Sequence, residues 1–82
     1  MVNTNVRVQH FVAQGMEHNW EIYFDNMLVG YVHCNGDGDD FGGTFPGCDT
    51  FEADSMWDKI QELCYSDLAD LYLIDRMEEM GY

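Results

Sequence analysis

Polar and apolar residues alternate along the first third of the chain. Val6, Val8 and Val12 fall on one face, with Arg7, Gln9 and Phe11 on the other, so Asn5 to Ala13 is predicted as a strand. Gly15 lies in the turn that follows. Trp20, Ile22 and Phe24 then alternate with Glu21, Tyr23 and Asp25, the pattern of a half-buried strand. Asp25-Asn26 is a turn pair, because both residues tolerate unusual backbone angles and bond to their own loops. Beyond it Leu28, Gly30, Val32 and Cys34 alternate with Val29, Tyr31 and His33. The two runs around Asp25-Asn26 therefore make an antiparallel hairpin.

Residues 35–48 break the alternation and hold five of the eight glycines and the only proline. This segment reads as a loop, with a short edge strand around Phe41 to Phe45. A helix begins after it. Asp49 and Glu52 stand at the spacing of a capping box, and Ala53, Met56, Trp57, Ile60, Leu63 and Cys64 recur as one apolar stripe. Tyr65-Ser66-Asp67 is a break in which Ser66 caps a second helix. Leu68, Leu71, Tyr72 and then Met77 or Met80 continue the apolar pattern on a rotated stripe. A single straight helix over 50–80 would be roughly 46 Å long, too long for the domain, so a bend or two helices is expected. Leu71-Tyr72-Leu73-Ile74 also fits a short strand, and Gly81 fits a helix stop.

The implied fold class is α+β: a small antiparallel N-terminal sheet of three to four strands, packed by one bent or two C-terminal helices. Residues 1–82 form a single domain, with a sheet part at 1–34, a Gly/Asp-rich loop at 35–48 and an acidic helical part at 49–82. Trp20, Ile22, Phe24, Leu28 and Val32 are expected to meet Met56, Trp57, Ile60 and Leu63 across the core.

Charge changes the picture more than composition does. The chain carries 16 acids against 3 Lys plus Arg, a net of −13, while 46% of it is hydrophobic, too apolar for a disordered acidic tail. Residues 1–34 hold three acids against Arg7; residues 35–82 hold thirteen against Lys59 and Arg76. A designed domain of this size needs a charge magnitude of only about 2–8 for solubility. Duplex DNA carries about 18 charges over the roughly 30 Å that such a domain spans, which is the same order. With so few cations, a phosphate-tracking basic patch is excluded, and direct nucleic-acid binding with it. No apolar run is long enough to span a membrane, and the first residues lack the basic and apolar regions of a signal peptide, so a cytoplasmic location is expected.

Little in the chain promises chemistry. Cys34, Cys48 and Cys64 are odd in number, and free thiols are their expected state, with a Cys34–Cys48 disulfide the alternative in an exported protein. His33-Cys34 with Cys48 and Cys64 supply four zinc-ligand types without the close pairs that zinc sites use. His10, His18 and His33 read as ordinary half-buried residues. Asn35, Asp37 and Asp39 match the start of a calcium loop, but Asp40 stands where glycine is needed and Pro46 where a bidentate Glu is needed. No nucleophile or phosphate-binding motif occurs, so neither an enzyme nor a cofactor is expected.

The acids are the main candidate site. Asp54, Asp58 and Glu62 advance about 6 Å per step along a helix axis, close to the roughly 6.8 Å of two phosphate steps on one DNA strand. Asp67, Asp70, Asp75, Glu78 and Glu79 extend the negative surface, and Asp37, Asp39 and Asp40 add to it from the loop. In size, charge and lack of catalytic motifs the chain resembles the small acidic proteins that phages direct against host defence, anti-CRISPR and anti-restriction proteins among them. The resemblance is one of character, with no shared motif, and no residue is carried over. It implies an inhibitor acting in the host cytoplasm as a nucleic-acid mimic. Its partner would be a basic nucleic-acid-binding protein, a nuclease or a CRISPR or restriction complex. Two other readings stand beside it: an adaptor or assembly protein that binds through an apolar sheet edge or the Met-rich helix end, and a weak divalent-cation module at Asp37, Asp39 and Asp40. A homodimer is compatible with all three.

Overall fold

A computed structural model describes residues 5–13, 16–34, 41–63 and 67–82, with backbone only for Met16, Phe41, Thr50 and Phe51. Four strands come first: β1 (Val6–Ala13), β2 (Met16–Phe24), β3 (Met27–Cys34) and β4 (Phe41–Thr44). They form one antiparallel sheet in the order β1-β2-β3-β4. Two helices follow, α1 (Thr50–Glu62) and α2 (Asp67–Glu79). This is the α+β fold that the alternation and the helical stripe predict. The short edge strand is β4, and the break between two helices replaces the single bent one. The predicted turn at Gly15, the Tyr65-Ser66 cap, Cys64 and the calcium-like segment 35–40 lie outside the described residues.

The hairpin is built as its turn residues require. Asp25 and Asn26 both have positive φ, 53° and 63°, which gives a two-residue connection whose twist matches its strands. The pairing Val8↔Ile22, His10↔Trp20 and Trp20↔Val32 puts these side chains on one face of the sheet. That face is the core, where Val6, Trp20, Ile22, Val32 and Cys34 meet Met56, Ile60, Ala69, Leu73 and Met77. β4 runs close beside β3 at Gly43, where φ is +124° and any Cβ would collide with the Tyr31 carbonyl.

Both helices are terminated by identifiable devices. Asp49 caps α1, its Oδ1 accepting the Glu52 backbone N–H at 2.9 Å. α2 ends in a Schellman arrangement: Tyr82 N–H donates to Met77 O at 3.2 Å, Gly81 N–H to Glu78 O at 3.0 Å, and Gly81 takes the positive φ of 93°. The same turn brings Tyr82 edge-on to Phe24, with ring centroids 5.1 Å apart, so the cap also pins α2 to the sheet.

Three expectations are corrected. Leu28 is 53% exposed rather than buried. The register shifts between Ile22 and Tyr23, so that Ile22 pairs Gly30 but Tyr23 pairs Leu28. Val29 is the extra residue, and this bulge carries Leu28 to the outer face while Val29 packs partly against the core. Val12 is exposed rather than aligned with Val6 and Val8, because a second shift falls between Phe11 and Ala13. On α2 the buried stripe is Ala69, Leu73 and Met77, and Leu68 and Leu71 are exposed. At about 100° per residue Leu71 points roughly 160° away from Leu73. Residues 71–74 are helical, so the strand alternative falls.

Candidate acidic face

On α1 Asp54, Asp58 and Glu62 lie opposite the apolar stripe, while Glu52 is half-buried and pairs with Arg76 of α2. Met56 and Ile60 are buried, and Trp57 and Leu63 pack partly against them. Asp54, Asp58 and Glu62 are all exposed. At about 100° per residue all three lie within roughly 40° of the direction opposite the Met56–Ile60 line. They form a single solvent-facing row with the predicted rise of about 6 Å per step.

Cations offset only part of the acid. Lys59 Nζ lies 3.6 Å from Glu62 Oε1, an exposed i,i+3 pair of small energetic weight. Arg76 bridges the two helices, pairing with Glu52 of α1 and, at 2.8 Å, with Glu79 of α2. Arg7 sits on the outer face of the sheet, 4.1 Å above the Tyr23 ring and 3.0 Å from Gln9 Oε1. Among the described residues, no cation pairs with Asp54, Asp58, Asp67, Asp75 or Glu78. Asp67, Asp75, Glu78 and Glu79 are exposed on α2. Asp67 also stands in the first turn of α2, where a carboxylate is favoured by the helix dipole. Asp37, Asp39 and Asp40 lie outside the described residues.

Asp70 is placed differently from the other acids. It is half-buried, one carboxylate oxygen is shielded from solvent, and that oxygen has no hydrogen-bond partner among the described residues. Burial pushes its carboxyl pKa up; the Trp20 indole N–H and His10 pull it down, and Asp67 pushes it up again. The helix geometry explains the placement, because Asp70 lies only about 60° around α2 from buried Leu73.

Asp70 adjoins a cluster that the sequence did not reveal as one. His10 Nε2 and His18 Nδ1 are 3.1 Å apart, and the His10 ring stacks on Trp20 at 4.9 Å. The signal was the register: His10 pairs Trp20 across β1 and β2, and His18 lies two residues before Trp20 on the same face. One hydrogen bond between two imidazoles requires one ring to donate and the other to accept, so the pair holds a proton between its nitrogens. Burial lowers the His18 pKa and His10 lowers it further, while Glu17 raises it. His33 and Cys34 point to opposite faces, His33 stacking on Tyr31 at 6.0 Å and Cys34 lying in the core. Cys34 and Cys48 are free thiols. Among the described residues, no group of three His, Cys, Asp or Glu side chains is arranged to hold a metal ion.

Beside the N-terminus of α1 lies an open cavity of about 420 Å³, lined by Gly42, Gly43 and Phe45 of the sheet side and Asp49, Asp54 and Trp57 of the helix. Among the described residues, no helix is long and apolar enough to cross a membrane. Compared with protein-family models, with curated proteins and with solved structures, the chain matches none.

Proposed function

We propose that this protein is an acidic inhibitory binding protein whose helical layer mimics a nucleic-acid backbone. It occupies the basic DNA or RNA channel of a host nuclease or of a CRISPR or restriction complex. The observation that carries the reading is the α1 row. Asp54, Asp58 and Glu62 share one solvent side, opposite the core, and the N-cap of α1 is Asp49 rather than any of them. Asp67, Asp75 and Glu78 supply further exposed charge from α2, paired with no cation among the described residues. Such a surface gains affinity for a lysine- and arginine-lined channel from steered association and charge complementarity. The action is stoichiometric exclusion of substrate in the host cytoplasm, with no chemical step. The adaptor reading is supported by the exposed leucines of α2, Leu68 and Leu71.

The test uses a nuclease captured from host lysate at low salt. Its affinity is measured against salt concentration and in competition with duplex DNA. Mimicry requires that affinity fall steeply as salt rises and that DNA compete. Replacing Asp54, Asp58 and Glu62 with Ala should weaken binding by about tenfold to a hundredfold, taking roughly 0.5–1 kcal/mol per charge. Salt-independent binding, or full affinity in the triple variant, would refute the reading.

A further inference from the structure

We infer that the cavity beside the N-terminus of α1 is a binding site for an arginine side chain, presented by the basic channel protein that the acidic face engages. The source of that arginine rests on the acidic-face reading; the cavity itself does not. The residues explain why the space exists. Ala53 and Trp57 stand four residues apart on one strip of α1, and the small Ala53 side chain leaves room between the Asp49 cap and the Trp57 ring. Asp54 lies three residues before Trp57, so its carboxylate and the indole are neighbours on the helix surface. The facing wall is Gly42 and Gly43 of β4, which bring no side-chain bulk, together with buried Phe45. At about 420 Å³ the cavity falls at the small end of ligand pockets, which run from about 300 to 1,000 Å³.

Charge and shape select the occupant. Asp49 and Asp54 both line the cavity, and among the described residues no Lys or Arg does. The positive end of the α1 dipole amounts to roughly half a charge, which two carboxylates outweigh. Asp49 is partly committed, since its Oδ1 accepts the Glu52 N–H. Asp54 is exposed at the rim and pairs with no cation among the described residues. Arg76 is felt at Cys48 on the cavity wall, where burial raises the thiol pKa and Arg76 lowers it, but its guanidinium is held by Glu52 and Glu79. An anion is repelled here, and a wholly apolar ligand would desolvate the carboxylates without pairing them. A guanidinium is planar, carries donors and no acceptor, pairs side-on with a carboxylate and stacks on an aromatic face. Its apolar stem would cover the Trp57 and Phe45 side of the cavity. A lysine ammonium is more strongly hydrated and has no plane to lay on the indole. An arginine held this way adds what a row of exposed carboxylates lacks, a desolvated anchor that fixes register.

The purified chain is titrated with N-acetyl-arginine amide and followed by NMR. The Trp57 indole N–H and the Gly43 and Ala53 amides should shift together, while the indole of Trp20, fully buried in the core, should stay. N-acetyl-lysine amide should bind about threefold more weakly, and the uncharged N-acetyl-citrulline amide about tenfold more weakly. Asp54→Asn should weaken arginine-amide binding about tenfold, through loss of a charged hydrogen-bond partner. Asp58→Asn, on the same row but outside the cavity, should change it by less than about twofold. Ala53→Met keeps every charge, fills the space and should abolish binding. Should that variant fail to fold, the contrast between Asp54→Asn and Asp58→Asn carries the test. An unmoved Trp57 signal overturns the proposal, as does equal affinity for the arginine amide and either of the other two. Equal losses in Asp54→Asn and Asp58→Asn, or full affinity in a folded Ala53→Met, overturn it as well. The two readings fail separately. Absent amide binding beside salt-dependent nuclease affinity removes the arginine site alone, whereas amide binding beside salt-independent nuclease affinity keeps the site and removes the acidic-face reading.

Discussion

The two helices have the same length, thirteen residues each, and both lie on the same side of the sheet, yet they divide their residues differently. In α1 the stripe of Met56 and Ile60 and the row of Asp54, Asp58 and Glu62 are opposite one another, and the half-buried acid, Glu52, is paired with Arg76. In α2 two leucines, Leu68 and Leu71, face solvent, while one aspartate, Asp70, is turned against Trp20 and His10. The difference separates acid with a structural setting from acid without one. Asp70 is embedded in the packing between α2 and β2, and Asp67 in the first turn of α2 serves the helix itself. Asp54 and Asp58 of α1 have no such service, and so the α1 row is the stronger candidate for recognition.

The largest expected effect tests whether the helices are equal where they should be. Ile60 of α1 and Leu73 of α2 are both fully buried. Truncating either to Ala should cost about 2–5 kcal/mol, read from urea or thermal unfolding, through lost transfer energy and the cavity left behind. A loss under about 1 kcal/mol in one of them would mean that this helix is not anchored in the core, and the comparison would fail.

An intermediate effect separates the acids. The raised pKa of Asp70 means that the folded state holds its proton more tightly than the unfolded state does. The favourable contribution of the protonated form is complete below the unfolded value near 3.8 and is lost as pH rises through the raised folded value. At pH 7 the ionised carboxylate therefore opposes folding. Asp70→Asn should stabilise the protein at pH 7 and make little difference near pH 3. His18 acts in the opposite sense. Its lowered folded pKa gives stability that is present above the unfolded value of 6.5 and is lost as pH falls through the folded value. That acid-side loss should persist in Asp70→Asn. A stability profile unchanged by Asp70→Asn at pH 7 would remove the distinction between Asp70 and the other acids.

These features differ in how far the chain alone disclosed them, for physical reasons. The hairpin and α1 were legible because parity and helical period each leave a repeated mark, and because Asp25-Asn26 and Asp49 with Glu52 punctuate them. The α1 acid row followed from the same period. Leu28 was misplaced because one extra residue at Val29 flips the side-chain parity, and nothing in the composition marks that bulge. The α2 stripe was misread by following the leucines; the helix buries Ala69, whose small side chain lets it approach the sheet, and leaves larger residues outside. The His10–His18–Trp20 cluster depends on a register between strands, which no single strand contains.

The smallest expected effect sharpens the comparison most closely, because it sets two leucines of one helix against each other. Leu71 is 56% exposed and Leu73 is fully buried, although they stand two residues apart on α2. Leu71→Gln keeps the length and helix propensity of the side chain and removes only solvent-facing apolar area, so stability should change by no more than about 0.5 kcal/mol. Leu73→Gln would bury an amide without partners and should cost several times that. A Leu71→Gln loss comparable to that at Leu73 would mean that Leu71 is covered in solution. The exposed side of α2 would then be where another molecule sits.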